Sequence, residues 1–588
     1  KSVDEDNVDH EISDELDPFA KHLLYELNDS LLRSVSSTPM DVNNFNEDWP
    51  YAGTITIQIP KCIEQMQEKK ESTIIEVKSF APAGCIPKRI HLSKDTLDTL
   101  CIKSQIISNL AKSNSSLTNK EKSIPLTPLQ AELFSIINNY QDLYYPQRNF
   151  DNGEEIRYAY CLHTINHILK TRNKVVHHNV RLSKKEDVPE EFRDQGLVRP
   201  KVLIVVPFKN AAFKIIQFLI NILITEDKGN VINKNRFLED FTGNELIMPK
   251  KNPKPEDYEL TFAGNSSDDF KIGITVTKKS LKLYADFYSS DIIIASPLGL
   301  RYTIGAEGEA DRDYDFLASI ELLIFDQAEI FLMQNWDHVI HIMKHMHLQP
   351  KKAHGTDFSR VRTWSLNGWA KYYRQTLIFS SFALPEINAV FNKHCANYAG
   401  KVKVIQKITY GSIRQVYVQL PHVFQKIGAN SVEQRDALMK QTLIYVSSYF
   451  DYVKIRNYFK KEDISFVQIC EYSKSGKIAR ARDMFFHGDA HFLLYTERHH
   501  FFNRIKIKGI RHLIFYQPPT FPNFYYEICN FMQETNMNKK IGSMSNMTVT
   551  VLYTKYDAQQ LAGIVGTDRA TKMLQSEKDV HLLVTDGD

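Results

Sequence analysis

No two of the chain's 23 glycines stand five apart, and the two Gly-Lys pairs, Gly400-Lys401 and Gly476-Lys477, lack a following Ser or Thr. A Gly-x-x-x-x-Gly-Lys-Ser/Thr loop, whose amides and lysine would cradle nucleotide phosphates, is thereby excluded. The seven cysteines contain no Cys-x-x-Cys pair and are odd in number. That argues against a zinc ribbon or a disulfide framework, and no metal is expected. No apolar run approaches the ~18 residues of a membrane span, so no membrane partner is expected and the chain reads as soluble and intracellular. Neither sign of charge dominates: Lys+Arg 73 against Asp+Glu 70 leaves +3, which neither demands nor excludes nucleic acid. The first residue is Lys1 rather than Met, so further sequence is expected upstream.

What is present is an ordinary globular composition, 43% hydrophobic and 24% charged over 588 residues, enough for two or three domains. Residues 1–122 read as an irregular N-terminal extension. An acidic run from Asp4 to Asp17 precedes an amphipathic segment, Phe19 to Leu32. The β-like Thr54–Ile59 and a helix from Thr96 to Ala111 are expected to wrap the next domain.

Three fragments organise residues 123–398: Asp291–Arg301, Leu322–Glu329 and Gln375–Phe382. Each opens with three or four apolar residues and ends in a polar segment, the pattern of a parallel strand buried on both faces that delivers side chains to its carboxyl edge. Val202–Asn210 adds a further strand and turn before a helix, Ala211–Thr225, and Lys271–Val276 resumes the sheet after a polar insertion at about 227–269. In order and content these fragments resemble motifs Ia, Ib, II and III of DEAD-box RNA helicases, and Pro125–Gln130 is similar to the core of the Q motif, whose Gln reads adenine. A helix start with Pro in its first turn explains that segment equally well.

The chemistry of the resemblance is degenerate. Asp326-Gln-Ala-Glu329 keeps the carboxylate that would hold Mg²⁺ through water but has Gln327 where the general base would stand, a loss that costs about 10²–10⁴-fold in rate. Ser380-Ser-Phe382 keeps a hydroxyl and replaces Thr by an aromatic. Gln130, Asp326, Gln327, Glu329 and Ser380 are therefore remnants of a nucleotide site. Lys209, Asn210 and Arg301 are candidate contacts to a phosphodiester backbone. His163 and His167 lie one turn apart on an expected helix, Ile156–Arg172, but Thr164 occupies the position a zinc protease gives to Glu.

Residues 399–588 repeat the strand–helix alternation. Expected strands are Lys403–Ile408, Val416–Leu420, Gln441–Ser448, Ser465–Ile469, His491–Thr496, Arg511–Pro519 and Thr548–Tyr553, with helices Phe450–Phe459 and Gly476–Phe486 between them. This pattern predicts a second doubly wound domain, and two RecA-like parallel-sheet domains in tandem make the fold class α/β. The arginine pair that would neutralise a γ-phosphate in trans is missing from Phe521–Phe531. In its place stand cations interleaved with rings: Arg480, Arg482, Arg498, Phe501, Phe502, Arg504 and Lys506. Such a surface suits single-stranded RNA or a protein interface.

Five strings, Asp17–His22, Asn138–Tyr145, Asp194–Pro200, Phe325–Glu329 and Thr496–Arg498, closely resemble the digestive-organ-expansion-factor family of U3 small-nucleolar-RNA-associated proteins, over nearly the whole chain. The resemblance implies a nucleolar component of the small-subunit processome, contacting pre-ribosomal RNA or U3 small nucleolar RNA and other processome proteins during 18S rRNA maturation. It implies no catalytic residue. The expectation is a pseudohelicase scaffold with no cofactor and no small-molecule substrate. A weak RNA-dependent ATPase keeping Gln130, Asp326 and Ser380, or a purely protein-binding adaptor, are the alternatives.

Overall fold

The computed structural model describes residues 17–62, 80–90, 100–118, 125–183, 192–224, 229–309, 311–427, 441–538 and 547–585. The acidic run before Asp17 and the first part of the helix expected from Thr96 lie outside these residues. The chain divides into two units, Lys1–Met248 with Glu259–Gln406, and Pro249–Tyr258 with Lys407–Asp588.

The first unit is built on eleven strands: β1 (Val42–Trp49), β2 (Gly53–Pro60), β3 (Asp142–Tyr145), β4 (Val202–Val205), β5 (Asn230–Ile232), β6 (Lys271–Val276), β7 (Ser280–Ala285), β8 (Ile292–Ala295), β9 (Leu322–Phe325), β10 (Gln375–Phe379) and β11 (Lys401–Val404). They lie in the order β1-β2-β11-β3-β10-β9-β4-β8-β6-β7-β5. The six from β11 to β8 are mutually parallel, and β3, β4, β8, β9 and β10 are buried at every residue, which is why β4, β8 and β9 read as unbroken apolar runs. The hairpin β1–β2 pairs antiparallel onto β11, so part of the N-terminal extension continues this sheet.

The sequence reading is corrected at one boundary. Lys401–Val404 does not open the second sheet: it pairs with Asp142–Tyr144 on one side and with Ile55–Gln58 on the other. Propensity marks a strand but not the sheet that receives it.

The second unit carries β12 (Pro421–Lys426), β13 (Thr442–Val446), β14 (Phe466–Ile469), β15 (Phe492–Thr496), β16 (His512–Phe515), β17 (Thr548–Tyr553) and β18 (Val580–Val584), in the order β14-β15-β13-β16-β17-β12-β18. All are parallel except β18. Val416–Leu420, expected as a strand, is a loop leading into β12. Right-handed crossovers from β13 leftward to β14 and back to β15 set helix Tyr449–Lys461 and helix Ser475–His487 on opposite faces. Both units are thus doubly wound α/β sheets.

Candidate functional site at the carboxyl edge of the first sheet

β3, β10, β9 and β4 end level with one another: Phe379 is opposite Tyr145, and Phe325 is opposite both Ile378 and Val205. The residues that follow, Arg148, Ser380 and Asp326, therefore meet at the edge where open α/β sheets bind ligands. Backbone bonds fix the spacing: Ser380 N–H donates to Tyr145 O at 3.1 Å, Arg148 N–H to Ser380 O at 3.0 Å, and Asp326 N–H to Val205 O at 3.2 Å.

Asp326 is fully buried, and its acceptor capacity is used from within. Arg148 Nε donates to Oδ1 at 2.5 Å, while Tyr160 Oη at 3.0 Å and Arg157 Nη2 at 3.4 Å face Oδ2. A buried aspartate needs such partners, because an isolated carboxylate in low dielectric is strongly disfavoured. Arg157 is held in turn by Glu154 at 2.6 Å, and Glu154 by Lys214 at 2.8 Å. Burial acts to raise the Glu154 carboxyl, but Arg157 and Lys214 outweigh it and hold it at about 2. Burial likewise drives the Tyr160 hydroxyl far above its ordinary range, with Asp326 adding to it, so that group is a donor only.

The turn from β3 into helix Gly153–Leu182 occupies the topological position of a phosphate loop. A helix N-terminus there ordinarily favours an anion. Here a guanidinium lies against it: a Cβ built on Gly153 would stand 3.0 Å from Arg148 Nη2, so the absence of a side chain makes room for the cation. Arg148 thus lies against the start of this helix, with Asp326 as its counter-charge.

The other expected remnants are similarly occupied. Gln130 is buried and completes a capping box with Thr127, its Oε1 accepting from Thr127 N–H at 2.9 Å; both ends of its amide also bond Asn114. No part of that amide faces solvent. Glu329 is buried, accepts from Ser381 N–H and Oγ at 3.1 and 3.0 Å, and has its carboxyl raised by burial. Gln327 takes a left-handed conformation, φ 58°, and turns the chain into helix Ala328–Gln334. Ser380 Oγ donates to Phe382 O at 2.7 Å.

Lys209 and Asn210 are half-buried against parts of the insertion, with Lys209 Nζ on Asp240 O at 3.2 Å and Asn210 N–H on Asn265 O at 2.9 Å. Arg301 stands at the end of helix Pro297–Ile304 rather than in the loop before it, donating to Gly305 O at 2.8 Å and lying 2.6 Å from His341 Nε2. Burial, then Arg301, depress that histidine to about 4.

His163 and His167 form no metal site: His163 bonds Gln375 at 2.8 Å, and His167 links Tyr140 at 2.9 Å to Glu321 at 3.0 Å. Among the described residues no group of three or more His, Cys, Asp or Glu is placed to hold a metal, and no helix is long and apolar enough to cross a membrane. These histidines belong to a second buried polar cluster at the opposite, amino edge of the sheet. There His22 lies between Tyr140 and Tyr398, each ring 4.9 Å away, and donates to Tyr373 O at 2.7 Å. Asp17 meets Lys170 at 2.6 Å, while Glu321 is shared by Arg362, Lys201 and His167. Two of the family-like strings, Asp17–His22 and Asn138–Tyr145, meet at this edge.

In the second unit the expected basic and aromatic surface divides. Arg504 is buried between Asp257 and Glu527, with Phe524 4.4 Å beneath its guanidinium. Lys254 donates to Asn503 O at 2.6 Å and Tyr258 to Phe502 O at 2.9 Å. Phe501 is buried and Phe502 half-buried, so Phe501 and Arg504 differ from the solvent-facing contacts expected of them. The local charge pattern could not reveal that Lys254, Asp257 and Tyr258 reach residues 502–504. Arg498 is half-buried, 4.0 Å from Glu471. Arg480, Arg482 and Lys506 are exposed, and Arg482 Nη2 donates to Lys506 O at 2.9 Å, which joins those two.

Sequence reasoning missed Arg148, Arg157 and Tyr160. The available signal was Arg157, a charged residue inside an otherwise apolar helical stretch, which burial requires to have a partner.

Two doubly wound units in tandem, the first with a buried ionic cluster at its carboxyl edge, define a protein of the NTP-hydrolase-like class. Family models described as "UTP25, NTP hydrolase-like domain" and "Utp25, C-terminal domain" match residues 140–402 and 403–583. The chain belongs to the U3 small nucleolar RNA-associated protein 25 family. It is 48% identical to the human homolog of that name, over 97% of this chain and 75% of the relative, and 34% identical to the Schizosaccharomyces pombe protein, over 96% and 84%. Among solved structures it is similar to S. cerevisiae Dbp5 bound to RNA and ADP BeF3, at 10% identity and a TM-score of 0.27 over 82% of this chain and 94% of that one. The strand order itself carries the assignment of fold.

Proposed function

We propose that the protein is a non-hydrolysing, helicase-derived scaffold that binds RNA and protein partners in the nucleolus during maturation of the small ribosomal subunit. The observation that carries this reading is the neutralisation of Asp326 by Arg148, Arg157 and Tyr160. Phosphoryl transfer depends on positioned cations and metal around a triphosphate. Here the aspartate that would hold the metal is paired internally, and Gln327 cannot act as a base. The relatives' name, U3 small nucleolar RNA-associated protein 25, supports association with U3 small nucleolar RNA, a place in ribosome biogenesis and a nucleolar location. Exposed Arg480, Arg482 and Lys506, which have no carboxylate partner among the described residues, support backbone neutralisation of RNA.

Two assays test the reading. Purified protein with RNA should release no phosphate from ATP above background, and RNA-stimulated hydrolysis lost in Asp326→Ala would overturn the scaffold. Charge reversal at Arg480, Arg482 and Lys506 should weaken RNA binding and flatten its salt dependence. Unchanged binding would leave the protein-adaptor reading in its place.

A further inference from the structure

Helix Tyr449–Lys461 buries only Tyr452 completely. Its outer face repeats at i, i+4, i+8 and i+11, one stripe of a 3.6-residue helix: Phe450, Lys454, Tyr458 and Lys461. Phe450 is 76% and Tyr458 57% exposed, and the two lysine side chains are 79% and 82% exposed. Single exposed rings need no explanation, but rings alternating with cations along one face form a pattern. Tyr472, 70% exposed in the loop after β14, stands beside the first turn of this helix, in an edge-to-face contact with Tyr449 at 5.4 Å.

We propose that this face of helix Tyr449–Lys461 is a stacking track for single-stranded RNA, with Phe450, Tyr458 and Tyr472 receiving unpaired bases and Lys454 and Lys461 meeting the phosphates between them. The proposal rests on the RNA-binding reading above and names the form of RNA. Phe450 and Tyr458 lie about 12 Å apart along the helix axis, too far to contact each other and open to separate bases. Rings supply sequence-tolerant stacking, and lysine counters the backbone charge. A duplex hides its ring faces, so the track selects unpaired strand. The counter-charges are local: half-buried Asp451 is 3.2 Å from Lys454, and exposed Glu462 is 4.0 Å from Lys461. Lys460 adds an exposed cation, and Arg456 lies along the ring of Tyr452, 6.0 Å from its centre.

Fluorescence anisotropy of the full chain with a labelled oligouridine and with an RNA duplex of equal length tests the proposal. Phe450→Leu and Tyr458→Leu keep apolar bulk and remove the rings. Each should weaken the single strand about tenfold while leaving the duplex and the salt slope unchanged. If single-strand affinity is unaltered while reversal of Arg480, Arg482 and Lys506 abolishes it, the track is overturned and the scaffold reading stands. Equal losses for both RNAs also overturn it. A wild-type chain that binds neither RNA sinks both readings. Ultraviolet crosslinking of the unmodified protein to oligouridine, followed by peptide mapping, gives an independent measure: adducts within 449–461 are expected, and adducts confined to other segments refute the track.

Discussion

Replacing Asp326 by asparagine keeps its shape and removes its charge, so Arg148 and Arg157 stay buried at 5% and 3% side-chain exposure without their shared counter-ion. Removing one member of a buried pair costs about 3–5 kcal/mol, more than the pair itself contributes, because the remaining charge is left in low dielectric. For a unit of roughly 400 residues, unfolding entropy of about 0.8 kcal/mol/K converts this into a fall in Tm of about 4–6 °C. Differential scanning calorimetry without nucleotide is the assay. Pairing Asp326→Asn with Arg148→Gln should give less than the sum of the two losses, since the second change removes a charge the first has stranded. An aspartate kept for Mg²⁺ would behave differently: its loss would leave the apo protein as stable as before and abolish any Mg·ATP-dependent rise in Tm. That pair of results would refute the argument from internal neutralisation.

Gly153→Ala should lower stability by about 1 kcal/mol, because overpacking against the pinned Arg148 guanidinium costs about 1–3 kcal/mol and outweighs a helix-propensity gain of at most about 1; a raised denaturation midpoint would contradict it. Glu497 is buried, accepts from Thr520 N–H at 2.8 Å, and is pushed by burial from 4.5 to about 7. A carboxyl raised in the folded state stabilises while protonated, so this contribution is present below pH about 4.5 and lost as pH rises through 7. Glu497→Gln should therefore leave the melting curve unchanged near pH 4.5 and raise it at pH 8, by up to about 3 kcal/mol, and an equal effect at both pH values would exclude this titration. His22, depressed by burial to about 4, has the opposite sign. The first unit should lose stability as pH falls from 6.5 towards 4, and His22→Phe should remove part of that slope in urea titrations across this range.

The alternating strands and helices were legible because a strand buried on both faces is apolar throughout and marks its own ends. β3 escaped notice because it is only four residues long and half of it is Tyr. β11 was assigned to the wrong sheet because pairing is decided by neighbours remote in sequence. At the carboxyl edge, Asp326, Gln327 and Ser380 were placed together from spacing alone, since Asp326-Gln327 and Ser380 each directly follow an apolar strand whose end is legible in the sequence. Arg148 and Arg157 were not, because the partners of a buried carboxylate are chosen by shape and charge in three dimensions. Arg504 and Phe501 show the same limit from the other side. Their composition suggested a surface, and only the fold shows that Arg504 pairs with Asp257, some 250 residues earlier, and that Phe501 packs against Phe521.

That last contact bears on how the molecule can be divided. A fragment beginning at Lys407 would contain every strand of the second sheet yet lack the ten residues from Pro249 to Tyr258 that belong with it. It would present Arg504 with Glu527 but without Asp257, and free the carbonyls of Phe502 and Asn503. Deletion mapping across residue 406 would then report the loss of a seated peptide as though it were the loss of a separate domain.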